Sequence, residues 1–167
     1  MNVYILRHGL AVEPGTAGYA KDSERPLLPR GERKIRKIAQ AMQALELNLD
    51  LILSSPYLRA RQTAEIVAKI YGSRRNIELS EALTPGGNPR QLLESLARLK
   101  PEPRDVLLVG HEPYLSELIS LLVSGETGLS IVMKKGGLCK MTADPLEYGR
   151  CASLDWLLTP KQMLRMA

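Results

Sequence analysis

Asp105-Val106-Leu107-Leu108-Val109-Gly110-His111-Glu112-Pro113 is the stretch that decides the fold. Residues 105–109 form the clearest strand of the chain, and a short continuous apolar run of this kind suits a strand buried on both faces. The strand runs straight into Gly110-His111-Glu112-Pro113, and the apolar period then changes. Leu115, Leu118, Ile119 and Leu122 fall on one face of a helix that Ser124-Gly125 ends. A strand, a short turn and a helix therefore follow one another directly.

The same sequence of elements recurs on either side. Val3-Tyr4-Ile5-Leu6 reads as a buried central strand leading into Arg7-His8, and Leu51-Ile52-Leu53 as a second, stopping at Ser54-Ser55-Pro56 before a helix over 57–71. Between them, residues 13–29 hold three prolines and two glycines with little periodicity, and read as a long loop. Gly31 opens a helical pattern with Ile35, Ile38, Ala39, Met42 and Leu45 inward. Ile77-Glu78-Leu79 is a candidate short strand. Asn88-Pro89 is a cap with proline at the first helical position, and that helix carries Leu92, Leu93, Leu96 and Leu99 inward. Residues 137–142 and 152–158 read as two last strands, pairing antiparallel through the turn-rich segment 143–151.

Alternating strands and helices define an α/β class: a three-layer α/β/α arrangement with a largely parallel central sheet plus an antiparallel C-terminal strand. The 167 residues suffice for a single domain over 1–167 with a proper core. No apolar run approaches the roughly 20 residues that cross a bilayer, and Met1–Arg7 lacks the features of a signal peptide. The expected location is cytoplasmic, with no membrane partner. Cys139 and Cys151 show no metal-ligand spacing and read as two half-buried thiols on adjacent strands. With only two histidines besides, no structural metal site is expected. The net charge of +5 is spread along the chain and Phe is absent, so nucleic-acid binding is not indicated. The balance suits an anionic substrate or an acidic partner.

The two histidines carry the functional reading. His8 and His111 both lie just beyond the carboxyl ends of strands, the edge where open α/β sheets bind ligands. Arg7 adjoins His8, and Arg59 stands at the start of the helix after Ser54-Ser55-Pro56. Guanidinium forks and helix N-termini both suit phosphate oxygens. Positive neighbours are expected to disfavour imidazolium at His8 and leave it a free lone pair. A hydrogen bond from one ring nitrogen to a backbone carbonyl would fix the tautomer and aim the other at phosphorus. Arg7, Arg59 and His111 would supply charge stabilisation, and no cofactor or metal is needed in this scheme.

Arg7-His8-Gly9 after an N-terminal strand resembles the signature of the histidine phosphatase superfamily, which includes the phosphoglycerate mutases. Ser55-Pro56-Tyr57-Leu58-Arg59-Ala60-Arg61-Gln62-Thr63-Ala64 resembles its second motif and Gly110-His111-Glu112 its third. Arg25-Pro26-Leu27 followed by Gly31, Ala82-Leu83-Thr84-Pro85-Gly86-Gly87 and Trp156-Leu157-Leu158-Thr159-Pro160 are similar to the SixA-type phosphohistidine phosphatases. The resemblance implies a phosphoglycerate mutase-like fold, His8 as a phosphate-accepting nucleophile, and Arg7, Arg59 and His111 as the phosphate pocket. It implies a phosphorylated protein as partner, a phosphotransfer domain being one candidate.

Two departures stand out. Many relatives carry a leucine-x-glutamate pattern whose glutamate is the proton donor; here the stretch is Leu83-Thr84-Pro85, and Glu81 is out of register. Alkoxide leaving groups need acid help, so the departure favours a labile P–N bond over alkyl esters. Leu28 stands where relatives often have threonine. Other residues keep two readings: Glu112 favours a helix first turn or orients an arginine, and Asp22 and Arg25 shape an entrance or anchor the loop. Thr63 and Gln62 are expected to pack, and Gly136-Gly137 to serve a turn or a close backbone approach. The rival functions are a phosphatase of small metabolites and a non-catalytic phosphate- or phosphoprotein-binding module.

Overall fold

The computed structural model describes residues 1–72 and 77–166. Its strands are β1 (Asn2–Arg7), β2 (Leu51–Ser54), β3 (Ile77–Leu79), β4 (Asp105–Gly110), β5 (Leu138–Ala143) and β6 (Ala152–Leu158). Its helices are α1 (Pro29–Ala44), α2 (Leu58–Ile70), α3 (Pro89–Ala97), α4 (Tyr114–Ser124) and α5 (Pro160–Met163), with short 3-10 turns at 22–24 and 81–83. The strands form one mixed sheet in the order β3-β2-β4-β1-β5-β6. β3, β2, β4 and β1 are mutually parallel, and β5 runs antiparallel to both β1 and β6.

The three layers follow from the two-residue period of the strands. Val3, Ile5, Val106 and Leu108 face one core with Leu92, Leu93 and Leu96 of α3 and Leu115, Leu118 and Ile119 of α4. Tyr4, Leu6, Leu107 and Val109 face the other, with Ile35, Ile38 and Met42 of α1 and Ala60, Ala64 and Val67 of α2. The central strands are thus apolar on both faces because both faces are covered. Asn88 caps α3 by accepting from Arg90 N at 2.9 Å, and Gly125 ends α4 at φ 91°. Among the described residues no helix is long and apolar enough to cross a membrane.

Three expectations change. Leu45 is the C-cap of α1 and is 36% exposed rather than inward. α1 begins at Pro29, two residues before Gly31, because proline suits the first helical turn, where its missing N–H costs nothing. Cys139 is fully buried in β5 opposite Leu157, whereas Cys151 lies just outside β6, so the thiols are not paired across adjacent strands.

The register sets the site. Arg7 is level with Gly110, and Leu6 and Ser54 both pair with Val109, so three parallel strands end at one height. The chain beyond β1 is then held against α1. Leu28 N donates to Leu10 O at 2.9 Å, and a Cβ on Gly31 would sit 2.1 Å from that same oxygen. Only glycine permits this approach. Gly31→Ala should therefore cost about 1–3 kcal/mol through forced backbone displacement, read as a lower urea midpoint; an unchanged midpoint would contradict the close packing.

Candidate active site

His8 and His111 leave neighbouring strands one residue beyond the Arg7–Gly110 pair, and their ring centroids are 5.1 Å apart. His8 N donates to Gly110 O at 3.1 Å, which ties the two turns together. His8 is 5% exposed and His111 1%. The His8 Nδ1 lies 2.7 Å from Gly9 O. A carbonyl can only accept, so Nδ1 carries the proton and Nε2 keeps its lone pair. Arg59 Nε donates to that Nε2 at 3.3 Å. The sequence-based expectation of a backbone carbonyl fixing the tautomer thus matches this geometry.

Arg59 is drawn in by α2. It is 3% exposed, and its carbonyl accepts from Thr63 Oγ at 2.7 Å, while the same Oγ accepts from Gly9 N at 3.1 Å. Gln62 Oε1 accepts from Leu27 N at 2.7 Å. Thr63 and Gln62 therefore do more than pack: they fasten the turn after His8 and the loop before α1 onto one helix. Arg7 donates through Nη1 to Met133 O at 2.7 Å, and its Nε is buried without a partner. The Gly136-Gly137 pair serves both expected uses. Gly136 adopts φ 81°, and the two residues exchange backbone hydrogen bonds with Arg7 at 3.0 and 3.1 Å.

Ser55 is a site residue that the sequence did not single out. Its Oγ lies 2.8 Å from His111 Nε2 and also accepts from Tyr57 N at 3.2 Å. His111 Nδ1 is buried and unpartnered. Tyr57 packs edge-on to His111 at 5.2 Å, with the Arg59 guanidinium over its ring, also at 5.2 Å. The early signals were the position of Ser55 and Tyr57 at the carboxyl end of β2 and their place in the stretch that resembles the second motif, neither of which points to His111.

Both histidines are held neutral. Burial pushes the His8 imidazole from 6.5 down to about 2, with His111, Arg59 and Arg7 adding to the shift and the Gly9 hydrogen bond opposing it. His111 falls to about 3, again through burial first and then Arg59. Positive neighbours alone were the expected cause; desolvation is the larger one, because imidazolium loses its water at this depth. Burial also lowers Arg7 and Arg59, and acidic partners oppose this: Glu112 for Arg7, Asp22 for Arg59. Of its two expected roles, Glu112 fills the helix-start one: its carboxylate accepts from Ser116 N at 2.9 Å in the first turn of α4, while toward Arg7 it acts through charge and makes no hydrogen bond.

The stretch without an acid also reaches this edge. Leu83 is buried, and its carbonyl lies 3.3 Å from where a Gly110 Cβ would stand. Glu81 is exposed and makes no hydrogen bond with the two histidines or two arginines. Among the described residues no group of three or more His, Cys, Asp or Glu side chains converges in a way that could hold a metal ion. A cleft of about 530 Å³, lined by Asp50, Leu51, Leu99 and Arg104 among others, opens toward the amino ends of β2 and β4 and contains neither histidine.

One edge of the parallel strands thus carries two buried, neutral histidines, the buried Arg59 and the half-buried Arg7, on a phosphoglycerate mutase-like fold. The chain belongs to the histidine phosphatase superfamily. The family description of branch 1 matches residues 3–84. Within it, the chain is similar to the phosphohistidine phosphatase SixA of Escherichia coli K12, at 30% identity over 161 residues, covering 96% of this chain and 94% of that protein. It is 39% identical over 139 residues to an uncharacterized protein of Picosynechococcus sp., covering 83% of this chain and 82% of the other. The solved structure of the protein histidine phosphatase SixA complexed with tungstate superposes with a TM-score of 0.82 at 28% identity, covering 96% and 98% of the two chains.

The neutral histidines carry a stability signature. Unfolding returns both rings to about 6.5, so below that pH the unfolded chain binds more protons than the folded one. Stability is fully present above pH 6.5 and falls as pH drops toward the folded values, by about 1.4 kcal/mol per pH unit for each ring. His8→Gln should reduce the slope of unfolding free energy between pH 6.5 and 4.5 by about one such increment. Equal slopes in the native protein and the variant would contradict a neutral, buried His8.

Proposed function

We propose that the protein is a metal-independent phosphatase that works through a phospho-His8 intermediate and releases phosphate from phosphohistidine on a protein. The observation that carries this reading is the His8 ring itself: Nδ1 is fixed on Gly9 O at 2.7 Å, while Nε2 is unprotonated and faces the Arg59 guanidinium at 3.3 Å.

In this reading the Nε2 lone pair attacks phosphorus in line, and a bond from Nε2 to phosphorus forms as the substrate P–N bond breaks. The departing imidazole takes its proton from solvent on its other ring nitrogen, so no enzyme acid has to reach the scissile bond. Arg59, Arg7 and His111 hold the equatorial oxygens, where most of the charge sits. The unpartnered Arg7 Nε supplies donor capacity that a phosphoryl group would use, and so does His111 Nδ1 in the tautomer in which Ser55 Oγ donates to Nε2. Gly9 O steadies the positive charge that develops on the phosphorylated ring. Water then attacks phospho-His8, gives its proton to the departing phosphate and restores the neutral ring. The arginines provide the charge that a metal supplies elsewhere.

The substrate class follows from the missing acid. Asp22 is held below the usual carboxylate range: burial raises it, but hydrogen bonds and charge from Arg25 and Arg59 outweigh that. An ionised carboxylate cannot donate a proton. A leaving group that departs without acid help is therefore favoured, and the similarity to SixA supports the same class. A phosphotransfer domain is a fitting partner, and the cytoplasm a fitting location.

Rates across leaving groups test this. The kcat/KM for a phosphohistidine-bearing protein should exceed that for sugar phosphates by about two orders of magnitude or more, the usual range of a missing general acid. Aryl phosphates should fall between. Sugar phosphates turning over faster would assign the site to small metabolites, and no turnover of any of the three would leave a binding module; both outcomes contradict the proposal.

A further inference from the structure

Asp22 lies outside every recognised motif, yet it touches the phosphate-site arginine more than any other residue does. Arg59 Nη1 donates to Asp22 O at 2.7 Å, and Nη2 donates to Asp22 Oδ2 at 2.9 Å. The other carboxylate oxygen is taken by Arg25, whose Nε and Nη2 reach Oδ1 at 2.8 and 2.5 Å. Arg25 is anchored in turn by donating from Nη1 to Val12 O. The strip on which Asp22 and Arg25 sit is pinned at its far end, where Val12 N donates to Pro26 O at 2.9 Å and Leu27 N reaches Gln62. Asp22 therefore belongs to a fixed turn rather than a swinging loop, although its side chain is 49% exposed against 4% for Arg59.

A guanidinium has five N–H donors in a rigid plane. Two acceptors of one residue, one on each terminal nitrogen, define the orientation of that plane. They hold the Nη end of Arg59 outward and turn its Nε edge to His8 Nε2. The carboxylate also offsets one of the two guanidinium charges that flank it. We propose that Asp22 is a positioning residue: through its carboxylate and its carbonyl it aims Arg59 at the phosphoryl group on His8, and Arg25 holds Asp22 in place. The inference rests on Arg59 being a phosphate ligand, as proposed above. It accounts for both earlier readings of the Asp22-Arg25 pair, since one clasp anchors the loop and forms the pocket wall.

A positioner and a simple loop anchor differ in kinetics. Asp22→Ala removes the carboxylate hold on Nη2 and leaves only the backbone carbonyl on Nη1, while making the pocket more positive. Its kcat on the phosphohistidine protein should fall about tenfold or more, as expected for a displaced catalytic group. Inhibition by inorganic phosphate should stay equal or become tighter. Asp22→Asn keeps an oxygen acceptor, and should restore kcat to within about threefold of native. If Asp22→Ala does not fold, Arg25→Gln, which removes the second anchor of the carboxylate, should lower kcat with phosphate inhibition retained. A native kcat in the variant tested, or equal losses in Asp22→Ala and Asp22→Asn, would overturn the inference. Arg59→Ala separates the two claims. If it leaves phosphate inhibition unchanged, the site reading fails; if it weakens inhibition while Asp22→Ala behaves as native, only the role of Asp22 fails.

Discussion

Parallel pairing of β1 with β4 is the constraint on which the site depends. The Arg7–Gly110 register puts the residues after both strands at one height, and His8 N on Gly110 O locks the two turns together. A one-residue slip would send alternate side chains to the wrong core. It would therefore place Val3 and Ile5 against α1 as well as part the histidines. The geometry of the candidate site and core packing thus share one register. The glycines serve the same end: Gly31 lets α1 approach Leu10, and Gly136 lets the chain before β5 return to Arg7.

The electrostatics of the site come from depth as much as from charge. Burial works against every charged group there, but its result differs by type. Histidine yields, because its ordinary pKa lies near neutrality, and becomes a neutral base. Arginine does not, because its ordinary pKa lies far above it. Burial therefore separates the four groups into two uncharged imidazoles and two cations. Acidic partners, Asp22 for Arg59 and Glu112 for Arg7, oppose the burial and keep the cations favourable.

Much of this was legible in the sequence, for physical reasons. Continuous apolar runs marked the central strands as covered on both faces, helical periods marked the inward sides of the helices, and the position of His8 and His111 just after apolar runs placed both at the carboxyl edge. Arg7 and Arg59 were readable because they adjoin strand ends within recognisable motifs. The clasp of Asp22 on Arg59 was not, since 37 residues separate them and no period links a loop to a helix face. The same holds for Ser55 against His111, 56 residues apart. The dominance of burial over charge in lowering the histidines was equally hidden, because depth is a property of the assembled layers. Leu45 shows the opposite error: it keeps the helical period but falls at the cap, where the period no longer implies burial.

The central claim is that phosphate passes through a covalent bond to His8 Nε2. Rapid quenching of the native protein with a phosphorus-labelled phosphohistidine donor, followed by peptide mapping, tests it most directly. The account predicts an acid-labile, base-stable label on the peptide carrying His8, formed within the first turnover and absent from His8→Ala. Hydrolysis without any such label, or equal labelling of His8→Ala, would contradict it.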